Sequence, residues 1–132
     1  MKAASFQVCV GTFVPIHQQL ISQIRDRVAG GLLVAGDELP SVRELSSELV
    51  INPMTVSKAY SQLVAQGILE RRRGARMAVS GRCMPLPELS RAASLEPSLV
   101  SAAERARDLQ IGVFEATRLF NAVLQTVFRK MA

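Results

Sequence analysis

The sequence predicts a mainly α fold with one small β wing, arranged as an N-terminal domain over residues 1–80 and a two-helix tail. Three stretches predict it. SVRE at 41–44 and NP at 52–53 mark the starts of two helices with almost nothing between them. ILERRRGARMAV at 68–79 reads as two short strands about a glycine. An apolar stripe from Val113 to Met131 recurs at helical spacing.

Taken in order, SFQVCV at 5–10 alternates as a short strand does. Pro15 then opens a helix with Ile16, Leu20, Ile21, Ile24 and Val28 on one stripe, and Gly30-Gly31 end it. LLVAGDELP is a connection that turns at Gly36-Asp37, with Leu33 and Leu39 as core anchors. Ser41 and Glu44 fit a capping box, and Val42, Leu45 and Leu49 face inward behind it. That helix must stop by Val50 or Ile51, because Asn52 is an N-cap and Pro53 a first helical residue. Val56, Ala59, Tyr60, Leu63 and Val64 form the inner face of the next helix, which Gly67 caps. Two helices joined so tightly cross at a large angle, as a helix-turn-helix. The hairpin that follows has the tip RRRGAR, with arginine at 71, 72, 73 and 76. Residues 81–96 contain three prolines with the one that follows at 97 and read as a linker, and helices are expected over about 97–109 and 113–130.

Composition narrows the function. Lys+Arg number 16 against 11 Asp+Glu, a net charge of +5, which favours a polyanionic partner. No apolar run reaches the ~18–20 residues that span a bilayer, and no leader with a cleavage site is legible, so a soluble cytoplasmic chain with no membrane partner is expected. Cys9 and Cys83 have neither metal spacing nor a disulfide framework, and His17 is the single histidine. No nucleophile–base pair, carboxylate cluster, phosphate loop or metal-ligand set is present, so neither an enzyme nor a cofactor is expected.

The helix from Pro53 poses the sharper question. Its outer first turns carry Met54, Thr55, Ser57, Lys58 and Ser61, where an ordinary surface helix would carry Glu and Lys. Short hydroxyls, a pliable thioether and one cation suit the DNA major groove, which admits a helix and offers donors, acceptors and thymine methyls. The helix N-terminus adds attraction for phosphate. Arg72, Arg73 and Arg76 at the hairpin tip are placed to follow the backbone or enter the minor groove. Arg43, in the first turn of the preceding helix, suits a phosphate or a guanine.

The ordered string LPSVREL…NP.TVSKAY.QL…G.L..RRG, with PIHQQLISQI at 15–24 before it, resembles the winged helix-turn-helix domain of GntR-family bacterial transcription regulators. The resemblance covers roughly half the chain, to about Val79. The short C-terminal region is similar to that of the YtrA-type branch, whose tail is a pair of helices used for dimerisation. It implies a repressor-type transcription factor, often one controlling transporter genes. Carried onto this chain, the DNA contacts fall on Arg43, Asn52, Met54, Thr55, Ser57, Lys58, Arg73 and Gly74. Two positions depart from the pattern. The inter-helix turn has Val50 where glycine is usual, and the wing has Gly74-Ala75-Arg76-Met77 where Gly-Lys-Gly-Thr is common.

In the last helix Val113, Thr117, Phe120, Leu124, Val127 and Met131 form a stripe that Leu119, Val123 and Phe128 widen. A tail so small buries little alone, so a homodimer reading an inverted repeat in double-stranded DNA is expected. The interface would use Val113, Thr117, Phe120, Val123, Leu124, Val127, Phe128 and Met131. A groove between the tail helices leaves room for an unidentified small-molecule effector. The alternatives are a nonspecific or architectural nucleic-acid-binding protein and a protein-interaction adaptor.

Overall fold

In the computed structural model, which describes residues 6–129, the chain divides into two units, Met1–Pro87 and Glu88–Ala132. The first is built on α1 (Ile16–Ala29), α2 (Val42–Leu49) and α3 (Pro53–Ala65), followed by a hairpin of β1 (Leu69–Arg71) and β2 (Met77–Val79). The second consists of α4 (Glu88–Asp108) and α5 (Val113–Arg129).

The apolar stripe of α1 does what its spacing predicts: Leu20, Ile21, Ile24 and Val28 are buried. They meet Val56, Ala59, Tyr60 and Leu63 of α3, Leu45 of α2, and Leu33 and Leu39 of the connection in one core. The Tyr60 hydroxyl donates 2.7 Å to the Pro40 carbonyl, so the largest fully buried side chain also satisfies its polar end. Burial and, to a lesser degree, the Glu44 carboxylate push the phenol well above its ordinary value of 10.0.

Both helix starts in the helix-turn-helix are capped as expected. Ser41 Oγ accepts from the Glu44 amide while Glu44 Oε1 accepts from the Ser41 amide. Asn52 Oδ1 accepts from the Met54 amide, 2.8 Å away, with Pro53 at the first helical position. Between them Val50 closes α2 in the left-handed region at φ 55°, ψ 52°. The Ile51 amide reaches back to the Ser46 carbonyl at 3.0 Å, the bond that makes the turn this tight.

The wing is broader than a hairpin. Leu69 pairs with Val79 and Arg71 with Met77 across β1 and β2. On its other edge β2 meets the connection before α2: the Leu39 amide donates to Met77 O and the Val79 amide to Asp37 O, both at 2.8 Å. A strand paired on both edges is buried along its whole length, and β2 is.

Two expectations need correction. The strand expected at 5–10 has no strand partner; Ser5 lies outside the described residues, and the following segment is held by side chains of α1 instead. Gln23 both accepts from the Gln7 amide and donates to the Gln7 carbonyl, and Gln19 does the same for Cys9. Primary amides imitate the peptide groups of a missing strand. The alternation holds for Phe6, in the core with the Arg27 guanidinium 4.2 Å from its ring centroid, and for Val8, packed against that core, whereas Val10 is exposed.

The linker is also shorter than the 81–96 read from its prolines. Helix α4 begins at Glu88 and runs through Pro97. Pro85 and Pro87 precede the helix, whereas Pro97 removes one amide donor from a run of good helix formers. Residues 81–87 belong with the first unit: the Leu86 amide donates to the Ala29 carbonyl and Cys83 packs on the core. Helix α5 begins at Val113 as expected. Among the described residues no helix is long and apolar enough to cross a membrane.

A β-branched residue in the left-handed region costs about 1–2 kcal/mol, and Val50, 88% exposed, recovers little by packing. Val50→Gly is expected to stabilise the chain by ~0.5–1 kcal/mol after glycine's greater unfolded-state entropy is subtracted. The urea midpoint checks it; a lower midpoint would show that the turn is not strained. Tyr60 is the single tyrosine, so its ionisation can be followed by absorbance alone. Its raised pKa adds stability that is present below the ordinary value near 10 and is lost progressively as pH rises beyond it. Tyrosinate absorbance should therefore appear above the usual pH and together with loss of helical circular dichroism. Ionisation at the ordinary pH with the fold intact would contradict the burial.

Candidate nucleic-acid interface

Anchored by its inner face, α3 presents the opposite face to solvent. Met54 is 77% exposed, Ser57, Lys58 and Ser61 are exposed, and Thr55 is half-buried. These five residues line one side of a shallow groove of roughly 540 Å³. The remaining lining residue is His17, from the first turn of α1. By its sequence neighbours alone, His17 reads as an ordinary helix-surface residue. Its spacing held a signal: it precedes Leu20 and Ile21 by three and four residues, so it extends the stripe with which α1 meets α3.

Asn52 sits at the head of this face with its side-chain oxygen occupied by the cap. That leaves its amide NH2 as the part suited to a phosphate. Arg43 is exposed in the first turn of α2.

The wing places its arginines separately. The tip makes a single 3₁₀ turn at Arg73–Ala75, with Gly74 at φ 79°, a conformation that suits glycine. Arg72 pairs with Glu70 at 3.3 Å and Arg76 with Glu38 at 3.8 Å, all four half-exposed. Arg73, exposed at the apex, enters neither of these pairs. Hydrogen bonds from the Ser41 amide and hydroxyl region, with a smaller contribution from nearby Arg76, hold the Glu44 carboxyl below its ordinary range. The wing base thus lies close to the first turn of α2, where Arg43 also sits. The groove brings Met54, Thr55, Ser57 and Lys58 together; Arg43, Asn52, Arg72, Arg73, Gly74 and Arg76 are outside its lining.

The tail carries no buried residue in either helix. Val113, Phe120, Val123, Leu124, Val127 and Phe128 are all exposed in this single chain, as is Thr117, whose hydroxyl donates to the Val113 carbonyl at 2.8 Å. Met131 lies outside the described residues. At the turn between α4 and α5 Gln110 takes φ 60°, and an open groove there is lined by Ala103, Ala106, Ile111, Val113 and Ala116 among others.

Comparison with known proteins agrees with this fold. The model of the bacterial regulatory proteins, gntR family, matches residues 16–79, from the start of α1 to the end of β2. The HTH-type transcriptional repressor YtrA of Bacillus subtilis is 48% identical over 60 residues, 46% of this chain and 46% of that protein. The chain spans about half the length of the curated relatives it matches first. Among solved structures, YtrA from Sulfolobus acidocaldarius, described as a GntR-family transcription factor, superposes with a TM-score of 0.56 at 31% identity, covering 78% of this chain and 97% of that one. A transcriptional antiterminator from Listeria monocytogenes gives 0.62 at 26% identity, covering 95% and 93%. These relatives are regulators of transcription and not enzymes. The chain belongs to the GntR family of regulatory proteins, in its YtrA-type branch.

Proposed function

We propose that the protein is a sequence-specific DNA-binding repressor that occupies an inverted-repeat operator as a homodimer and blocks transcription sterically. One observation supports it above the others: α3 is buried along Val56, Ala59, Tyr60 and Leu63 and presents Met54, Thr55, Ser57 and Lys58 outward without a carboxylate among them. On this reading Thr55, Ser57 and Lys58 meet base edges, Met54 lies against a thymine methyl, and Asn52 and Arg43 position the helix on phosphates. Arg73 and the Gly74 backbone engage the DNA backbone from the wing. Arg72 and Arg76 join only when phosphate displaces Glu70 and Glu38, an exchange of one exposed ion pair for another.

Dimerisation rests on the exposed stripe of α5, where large apolar side chains project from a helix with nothing buried. The family resemblance suggests transporter genes as the regulated set, and the groove at the α4–α5 turn is a place for a small-molecule effector.

Selection from a random duplex pool at near-physiological salt tests the reading. An enriched inverted repeat supports a dimeric sequence reader, and tight binding without enrichment would favour an architectural protein. On the enriched duplex, Arg73→Ala should weaken binding to all sequences alike. Thr55→Ala and Lys58→Ala should instead relax preference at particular base pairs by ~1–3 kcal/mol. Affinities across a panel of single-base variants measure this, and uniform losses for all three would remove base readout from α3. Charging the stripe with Phe120→Glu and Val127→Glu should give monomers by light scattering; an unchanged mass would exclude α5 from the interface.

A further inference from the structure

We propose that His17 is a further DNA contact, an imidazole donor from α1 to a phosphate bordering the base pairs read by α3. The inference rests on the DNA-binding reading above and extends its surface to a second helix. His17 lines the same groove as Met54, Thr55, Ser57, Lys58 and Ser61, so a strand seated along those residues passes the imidazole. Position and rigidity come from the core. His17 stands one turn before Leu20 and Ile21, both buried, on a helix packed against α3, so the ring moves with the surface it serves.

The chemistry of the groove fits a phosphate. None of its described lining residues is acidic, and Lys58 is the one charged side chain among them. The first turn of α1 holds no acidic residue either, and Pro15, its N-cap, offers no side-chain acceptor to the first-turn amides. An imidazole can donate when neutral and becomes a cation within the physiological pH range. The cationic form of an imidazole makes the stronger, charge-assisted contact to a phosphate. Further titratable groups near His17 among the described residues are Lys58, in the same groove, and Cys9, whose backbone is bonded to Gln19.

The test uses the full chain and the duplex recovered by selection, with affinity and its salt dependence measured at about pH 6 and pH 8. For the natural sequence, binding should weaken by up to about tenfold at the higher pH, the scale of one charge-assisted contact. The slope of log affinity against log salt should fall by about one. His17→Gln should bind at both pH values as the natural protein does near pH 8, and His17→Arg should hold the low-pH affinity at both. Cys9→Ser should leave the pH dependence in place. Unchanged pH dependence in His17→Gln would overturn the proposal while leaving the repressor reading intact. So would a loss of affinity in that variant with the salt slope unaltered, which would make His17 a packing residue for α3. Failure of the natural protein to bind any duplex would overturn both readings together.

Discussion

Everything at the candidate interface depends on holding α3 from one side only. A helix that must present a bare outer face can be fixed in place only through its inner one, so that face has to be complete. Here it is: Val56, Ala59 and Leu63 are fully buried, and Tyr60 fills the remaining space while its hydroxyl reaches the Pro40 carbonyl. That bond ties α3 to the residue just before the α2 cap, so the two helices of the helix-turn-helix share one fixed point. The strained Val50 turn is a consequence. The core sets both helices, and the chain between them accepts a left-handed β-branched residue because the surroundings leave no alternative.

The second constraint is charge. Arginines on a narrow turn repel one another, and the wing relieves this by pairing two of them with Glu70 and Glu38 at its base. Such exposed pairs contribute little to stability, which also makes them easy to exchange for phosphate. β2 is paired on both edges, through β1 on one side and residues 37–39 on the other, so the exchange can occur without loosening the strand beneath it.

Much of this was legible in the sequence because it is written in local rules. The Ser41–Glu44 box, the Asn52-Pro53 start, the Gly67 stop and the glycine at the wing tip each depend on residues within four positions of one another. What escaped depends on partners far along the chain. The segment after Ser5 has strand alternation, but its hydrogen bonds come from Gln19 and Gln23, which nothing local announces. The second edge of β2 needs the connection at 37–39 some forty residues away, a pairing without a sequence signature. Pro97 misled for the opposite reason, since a local rule that usually stops a helix was outweighed by helix-forming residues on both sides. His17 lay between these cases. Its stripe position was visible, but the groove it borders exists only once α1 lies against α3.

The two units differ in how far one chain can complete them. The first buries its apolar faces internally, with each helix stripe answered by another element. In the second, α5 separates its side chains into faces as cleanly as α1 does, yet leaves Phe120, Val123, Leu124, Val127 and Phe128 exposed. An amphipathic helix with nothing buried has paid the entropy of ordering without recovering it from packing. On the proposed dimer, association supplies the missing stabilisation, so the tail's order and a partner's presence are one equilibrium. If that partner is a second copy, DNA affinity inherits its concentration dependence: two helix-turn-helix units act on one duplex only while the stripes are joined. On the proposed reading, a ligand in the groove at Gln110 and Ile111 would act by changing how firmly the tail holds its own helices for the partner.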